Sequence, residues 1–198
     1  MRIVLMLKAP RPGFVKTRLA QEVGEIEALF IYRRLVEHQL KQLNKKFEIV
    51  ICYTPFDAYG EMREWLGDEY HYEMQAEGDL GDRLRSIMQK LFNKNHFPVL
   101  FLGGDCPYID EGVLDFVEQE LVYHDIVIGP AKDGGYYLIG VRHNLPEIFN
   151  QIEWGTKRVF DQTIGLIDES NLSVKILGIA EDVDDLASWE RATNCLKF

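Results

Sequence analysis

Cysteine is scarce in this chain of 198 residues, whose three cysteines lie far apart at Cys52, Cys106 and Cys195. No two of them have the C-x-x-C spacing. A sparse, odd set argues against a disulfide framework or a zinc site, and it suits a reducing compartment. The histidines are equally scattered and have no partners at metal-ligand spacing, so we interpret them as ordinary surface or core residues.

Long hydrophobic runs are also missing. No apolar run approaches the ~20 residues that a membrane-spanning helix needs. The apolar run at residues 3–7 is too short for the core of a signal peptide, and no small-residue cleavage site follows it. We therefore expect a cytoplasmic protein without a membrane span.

Internal repeats, low-complexity tracts and linkers are absent as well. The length fits one large domain. Hydrophobic residues make up 46% of the chain and charged residues 27%, which is enough apolar material for one sizeable core. We expect residues 1–198 to form a single domain.

Positive charge is in short supply, since the formal net charge is -10. This balance disfavours nucleic acid as a partner, because binding a polyanion draws on clustered Lys and Arg. The first 18 residues nevertheless carry five basic side chains and no acid. A basic segment in an acidic protein favours local binding of a small anion. The alternative is a solvated basic N-terminal arm.

Apolar runs of strand type alternate with longer helical patterns, which predicts an α/β fold with a mostly parallel sheet covered by helices. Strands are predicted at residues 3–7, 49–53, 70–74, 99–102, 126–128, 136–141 and 174–179. Helices are predicted at residues 26–43, 59–66, 84–91, 110–121, 159–164 (with Thr156 as N-cap) and 186–196. Ligands of open α/β sheets bind outside the carboxyl ends of the strands, where most of the motifs below fall.

The basic segment 8–18 follows the first predicted strand. It has neither the Walker A spacing nor the G-x-G-x-x-G pattern. Gly13 can bring backbone N–H groups close to an anion, and Pro10 stiffens the turn. Lys16 and Arg18 can neutralise phosphates. The alternative is a surface loop that happens to be basic.

The segment 78–83, Gly-Asp-Leu-Gly-Asp-Arg, precedes a predicted helix. Its two glycines would let the backbone approach a base or ribose. Clusters of Gly and Asp also commonly make turns and helix caps, and that reading stays open.

The segment 103–107, Gly-Gly-Asp-Cys-Pro, ends a buried predicted strand. Its carboxylate, Asp105, is well placed to hold Mg²⁺ or Mn²⁺, which use few protein oxygens and complete their shell with water and phosphate. The alternative is an aspartate that caps the following turn.

Two further segments are candidates. The segment 133–137 is a hairpin turn or, with its two tyrosines, the wall of an acceptor pocket, to which Trp154 and Thr156 would belong. The acids of the segment 182–185 repel one another, and a divalent cation would relieve that repulsion. Asp185 could instead cap the last helix.

These motifs occur in one order, and together they resemble a known family. The motifs are Lys8-x-Pro10-x-x-Gly13-x-Val15-Lys16-Thr17-Arg18-Leu19, Gly78-Asp79-Leu80-Gly81-x-Arg83, Gly104-Asp105-x-Pro107, Gly129-Pro130-Ala131-x-Asp133-Gly134-Gly135-Tyr136 and Trp154-x-Thr156. The series is similar to the glycosyltransferase-A-type proteins of the rSAM/selenodomain-associated transferase group, long filed as a domain of unknown function. The match runs from Met1 to about Leu186.

The resemblance implies a nucleotide-diphospho-sugar transferase fold, a three-layer α/β/α sandwich. It implies that Lys16, Arg18 and Asp105 are catalytic, and that Asp105 holds Mg²⁺ or Mn²⁺ together with Asp184 or Asp185. The implied nucleotide-binding residues are Lys8, Pro10, Gly13, Lys16, Arg18, Gly78, Leu80, Gly81 and Arg83. The acceptor residues would be Asp133, Gly134, Gly135, Tyr136, Trp154 and Thr156.

Our leading hypothesis is a metal-dependent transferase that uses a nucleoside triphosphate or a sugar nucleotide and a small-molecule acceptor. Both nucleotidyl and glycosyl transfer fit the residues. A non-catalytic nucleotide-binding or regulatory protein is the alternative from another class. No hydrophobic heptad or apolar stripe predicts a protein partner.

Overall fold

The computed structural model describes residues 1–43, 46–94 and 96–195, so Leu196, the predicted end of the last helix, lies outside the described residues. The strands are β1 Arg2–Lys8, β2 Glu48–Thr54, β3 His71–Met74, β4 Val99–Gly103, β5 Ile126–Pro130, β6 Tyr136–Val141 and β7 Val174–Ile176. The α-helices are α1 Thr17–Val23, α2 Glu25–Gln42, α3 Tyr59–Leu66, α4 Leu80–Asn93, α5 Glu111–Tyr123, α6 Val159–Glu169 and α7 Leu186–Cys195. A short 3-10 helix spans Pro146–Phe149.

The strands form one sheet in the order β3-β2-β1-β4-β6-β5-β7. Its pairs are parallel except for the two that β6 makes, with β4 and with β5. The reversal has a local cause, because a tight turn joins β5 to β6 and only antiparallel neighbours can be joined by so short a loop. The predicted mostly parallel α/β fold is confirmed.

Helices cover both faces of the sheet. Apolar side chains alternate along β1, so that Ile3 and Leu5 join the cluster packed against α2, α3 and α5, whereas Val4 joins the cluster packed against α4 and α6. A third cluster packs α1, α2 and α7 together. The arrangement is the expected three-layer α/β/α sandwich. Among the described residues, no helix is long and apolar enough to cross a membrane.

Helix α1 and strand β7 both depart from the predictions. The helix α1 was not predicted, because its seven residues contain one buried side chain, Leu19, and so show no periodicity. The strand β7 is shorter than the predicted 174–179. It pairs with β5 as far as Ile176, and beyond that point a single bridge joins Ala131 and Ala180. The same part of β5 is irregular in its pairing with β6, whose register shifts between Gly129 and Pro130.

The prediction that Thr156 caps helix α6 is wrong. The N-cap position is Arg158. The Thr156 hydroxyl donates to the carbonyl oxygen of Glu153 at 2.8 Å and accepts from the Arg158 amide at 3.3 Å. Its hydrogen bonds therefore close the turn before the helix, and it is too far from the helix end to cap it.

Candidate active site at the carboxyl edge of the sheet

The basic loop and the segment after β4 meet at one edge of the sheet. Strands β1 and β4 are parallel neighbours with Met6 opposite Gly103, so the chain leaves both strands at the same edge. A cavity of about 270 Å³ lies there, which we call the Lys16 cavity. It is lined by Met6, Lys8, Val15, Lys16, Thr17, Arg18, Tyr32, Gly103, Gly104, Asp105 and Asp184. Residues separated by more than 160 positions in sequence thus share one site.

The centre of this cavity is the ammonium group of Lys16, whose side chain is only 6% exposed. Its Nζ donates to Asp105 Oδ2 at 2.9 Å and to Asp184 Oδ1 at 3.2 Å. Burial by itself would lower the pKa of Lys16, but the two carboxylates outweigh it and the pKa is raised. The lysine is therefore charged, and it holds two carboxylates that come from different parts of the chain.

Lys16 also has an unusual backbone conformation, with φ of 48°, in the left-handed region. Few non-glycine residues adopt it, and such residues cluster at functional sites. The conformation falls at the N-cap position of α1. It turns the chain from the loop into the helix at the residue that carries the buried charge.

Arg18 lies two residues further along and is 72% exposed. Its Nη1 donates to Asp184 Oδ2 at 3.4 Å. Asp184 is thus shared between Lys16 and Arg18. Arg18 also lines a second cavity, so it marks the junction between the two.

The second cavity has a volume of about 460 Å³, and we call it the Trp154 cavity. It collects most of the residues predicted to bind an acceptor. Its lining consists of Arg18, Leu80, Asp133, Gly135, Tyr136, Trp154, Gly155, Thr156, Lys157, Val159 and Asp182. The rings of Tyr136 and Trp154 meet edge to face, with their centroids 6.3 Å apart. The structure therefore gathers the predicted acceptor residues around one pocket beside the Lys16 cavity.

Gly134 lies in the turn whose neighbouring residues, Asp133 and Gly135, line this pocket. Its φ is +91°, and a Cβ there would lie 2.3 Å from the Lys157 carbonyl oxygen. The turn between β5 and β6 is the hairpin that the sequence left as one of two alternatives. It also forms part of the wall of the Trp154 cavity, because Asp133 and Gly135 line that cavity.

Asp182 is the main residue that sequence reasoning did not single out. Its Oδ1 is buried and has no hydrogen-bond partner among the described residues. Burial, and the negative charges of Asp105 and Asp133, raise the pKa of this carboxyl well above its usual range, while Lys16 opposes the shift. The sequence shows a run of acids at 182–185, but spacing alone does not show which of them is buried.

Asp185 is the N-cap of α7. Its Oδ1 accepts from the Ser188 amide and from the Ser188 hydroxyl, each at 2.7 Å. These hydrogen bonds lower the pKa of Asp185. Asp185 therefore caps the last helix, as one of the two sequence interpretations predicted. Of the two acids, Asp184 is the remaining metal candidate.

The segment 78–83 begins helix α4. Asp79 and Asp82 form a reciprocal capping box, in which each side chain accepts from the backbone amide of the other residue. Gly81 is buried, and a Cβ there would lie 2.8 Å from Trp154 Nε1. Gly81 therefore lets α4 pack beneath Trp154, while its neighbour Leu80 reaches the Trp154 cavity.

Gln75 is a second residue that the sequence did not reveal. Its Nε2 donates to the carbonyl oxygens of Leu7 at 3.1 Å and Cys52 at 2.7 Å, near the ends of β1 and β2. Its Oε1 accepts from Arg83, which in turn donates to the Gly78 carbonyl oxygen. Gln75 thus connects the strand ends to the loop before α4.

Tyr32 fixes the start of the basic loop. Its buried hydroxyl accepts from the Lys8 amide at 3.0 Å and donates to the Lys8 carbonyl oxygen at 2.9 Å. Within the loop, Arg11 pairs with Glu61 and Asp57, so its charge is directed away from Lys16. Gly13 has φ of +75°, which permits the turn there. The loop is held by defined contacts and is not a solvated arm.

The donor set fits a hard divalent cation only in part. No group of three or more His, Cys, Asp or Glu side chains within residues 1–43, 46–94 and 96–195 could hold a metal ion. The carboxylates of Asp105 and Asp184, however, already hold one cation, the Lys16 ammonium. Two carboxylates suit Mg²⁺ or Mn²⁺ when phosphate and water supply the remaining oxygens.

Comparisons with known proteins agree with this fold. Residues 38–156 match the family described as "Uncharacterized protein conserved in bacteria (DUF2064)". No curated protein matches the sequence. A crystal structure from Desulfovibrio desulfuricans G20, provisionally named a nucleotide-diphospho-sugar transferase, is 36% identical, with 93% of this chain and 84% of that chain covered and a TM-score of 0.88.

More distant structures share the fold. A CMP:2-keto-3-deoxy-manno-octonic acid synthetase in complex with CTP has a TM-score of 0.63 at 12% identity, with 98% of this chain and 97% of that chain covered. Rv0371c of Mycobacterium tuberculosis H37Rv in complex with manganese has a TM-score of 0.60 at 12% identity, with 99% and 100% covered. The family match and the 36% identical structure carry the assignment: the chain belongs to the DUF2064 family, and its fold is that of the nucleotide-diphospho-sugar transferases.

Proposed function

We propose that the chain is a metal-dependent transferase. It takes a nucleoside triphosphate or a sugar nucleotide in the Lys16 cavity and passes a nucleotidyl or glycosyl group to a small acceptor in the Trp154 cavity. The observation that carries this proposal is the meeting of Lys16, Asp105 and Asp184 at the carboxyl edge of the sheet, next to a second cavity. The 36% identical structure that is provisionally named a nucleotide-diphospho-sugar transferase supports it.

The basic loop, residues 8–18, would bind the phosphates. Lys8, Lys16 and Arg18 line the Lys16 cavity, and their charges oppose those of a di- or triphosphate. Gly13 allows the backbone turn that brings this loop over the cavity.

Asp105 and Asp184 would hold the metal ion. When bound, it would supply positive charge that neutralises the phosphate oxygens and the leaving group. A manganese complex of a protein with the same fold supports the assignment.

The chemistry requires positioning and charge neutralisation more than a protein nucleophile. In nucleotidyl transfer an oxygen of the acceptor attacks the α-phosphorus and pyrophosphate leaves. In glycosyl transfer the acceptor attacks the sugar carbon and a nucleoside diphosphate leaves. Arg18 lines both cavities, so it would contact the phosphates at the point where the acceptor approaches.

Calorimetry with each nucleoside triphosphate and with common sugar nucleotides, with and without Mg²⁺ or Mn²⁺, tests the proposal. We expect binding that the metal strengthens, and we expect Asp105→Ala to remove that metal dependence. The matched control is Asp115→Ala. Asp115 lies on α5, away from the site, and it pairs with Lys46.

The proposal is wrong if no nucleotide binds under any of these conditions. Binding without turnover of any donor would favour the non-catalytic alternative. With a labelled donor, released pyrophosphate identifies nucleotidyl transfer and released nucleoside diphosphate identifies glycosyl transfer.

A further inference from the structure

The Lys16 ammonium occupies the position between Asp105 and Asp184 where the proposed metal ion would bind. It lies 2.9 Å from one carboxylate oxygen and 3.2 Å from the other. Because its side chain is only 6% exposed, solvent does not separate the charges. In this structure a lysine therefore fills the proposed cation site.

A divalent ion and this ammonium cannot both keep these contacts. Both cations need the same carboxylates, and two positive centres a few ångströms apart repel strongly in a site of low effective dielectric constant. Moving Lys16 away without a replacement is also unfavourable, because the carboxylates of Asp105 and Asp184 would lose the cation that lies between them. The two cations are thus expected to exchange with each other.

The protein also offers the metal an incomplete set of ligands. Within the described ranges 1–43, 46–94 and 96–195, no cluster of three potential side-chain ligands exists. Phosphate oxygens of a nucleotide would supply the missing ligands and, at the same time, a new anionic partner for Lys16. The nucleotide would therefore release Asp105 and Asp184 from Lys16, and it would also complete the set of oxygen ligands around the metal ion.

We propose that Lys16 competes with the divalent metal for Asp105 and Asp184, so that the metal binds tightly only together with the nucleotide phosphates that take over the lysine. This inference rests on the proposed function and adds an order of binding to it. Since coupling between two ligands is reciprocal, the metal strengthens nucleotide binding by the same factor. Lys16 is the residue through which this coupling passes.

Mn²⁺ binding measured by electron paramagnetic resonance tests the competition directly. MnCl₂ alone is titrated into the native protein and into Lys16→Met and Lys90→Met. The last variant is the matched control, because Lys90 pairs with Glu73 outside both cavities and its loss changes the net charge equally. We expect Lys16→Met to bind Mn²⁺ about tenfold more tightly than the native protein, a difference of about 1.4 kcal/mol. We expect Lys90→Met to stay close to native.

A second titration uses the native protein with the nucleoside triphosphate that binds best, corrected with protein-free solutions of Mn²⁺ and the nucleotide. We expect the nucleotide to strengthen Mn²⁺ binding in the native protein and to have a much smaller effect in Lys16→Met. If Lys16→Met does not fold, Lys16→Gln replaces it. The comparison of Mn²⁺ binding to the native protein with and without nucleotide requires no variant.

Two results would overturn the inference. One is native protein that binds Mn²⁺ equally well with and without nucleotide. The other is a folded Lys16 variant whose Mn²⁺ affinity is no higher than that of the native protein. Failure of the proposed function looks different, because then no nucleotide binds at all.

Discussion

The Tyr32 hydroxyl, on α2, makes two hydrogen bonds to the backbone of Lys8 at the start of the basic loop. Tyr32→Phe would leave the amide and the carbonyl group of Lys8 without this partner. We expect a loss of about 1–3 kcal/mol in the free energy of unfolding, measured with urea, together with weaker nucleotide binding.

Tyr123→Phe is the control for this prediction, since Tyr123 is 78% exposed. It should leave both measurements close to native. Unchanged stability and unchanged nucleotide affinity in Tyr32→Phe would show that the loop is held by other contacts.

A pH-dependent contribution to stability is expected from Asp125, which lies away from the site. Asp125 Oδ2 accepts from the Ser173 amide at 3.0 Å and from the Ser173 hydroxyl at 2.6 Å, and these hydrogen bonds lower its pKa. A carboxyl whose pKa is lower in the folded protein stabilises the fold above its unfolded pKa. That stability is lost as the pH falls through the folded pKa.

Asp125→Asn should therefore destabilise the protein by about 1 kcal/mol at neutral pH, and the difference should vanish in strong acid. Urea unfolding of both proteins over a range of pH measures it. A difference that stays constant, or that grows as the pH falls, would contradict the assignment of this stability to the ionised carboxylate.

At the scale of the element, the turn between β5 and β6 depends on Gly134. Its φ of +91° is strained for any residue with a side chain, and an added Cβ would collide with the Lys157 backbone. Gly134→Ala should cost about 1–3 kcal/mol in stability and should distort the wall of the Trp154 cavity.

Gly165→Ala in α6 is the matched control, because nothing lies within 4 Å of a Cβ there. In a helix interior this change should stabilise the protein by up to about 1 kcal/mol. Thermal unfolding of the two variants measures both effects. Equal effects would mean that the Gly134 turn adapts at no cost.

Elements with a clear local pattern were predictable from the sequence. The predicted helix 59–66 has the observed bounds of α3, and β6 was also predicted at its observed bounds. Helix α1 was missed because seven residues with one buried side chain carry no periodic signal. The Thr156 cap was misplaced because its hydroxyl makes its hydrogen bonds in the preceding turn.

At the scale of the whole molecule, sequence reasoning found the residues of the site but not their arrangement. Lys16, Asp105 and Asp184 were each singled out, yet their ion pairs join positions 89 and 168 residues apart, which no local pattern encodes. For the same reason Asp182 was named only as one acid of the segment 182–185, and Gln75 was missed. Their roles arise from burial and from contacts with strand ends, and both depend on the complete fold.

The reversed strand β6 has a consequence for how this molecule can diversify. It lies between β4, which leads into the Lys16 cavity, and β5, whose turn helps to form the Trp154 cavity. The strand ends that line the two cavities thus lie on different sides of β6 or on β6 itself, while Arg18 lines both cavities and the loop after β7 contributes Asp184 to one and Asp182 to the other. Substitutions in the β5–β6 turn and the Trp154 segment can therefore reshape one pocket while the other keeps its geometry, so the architecture is modular.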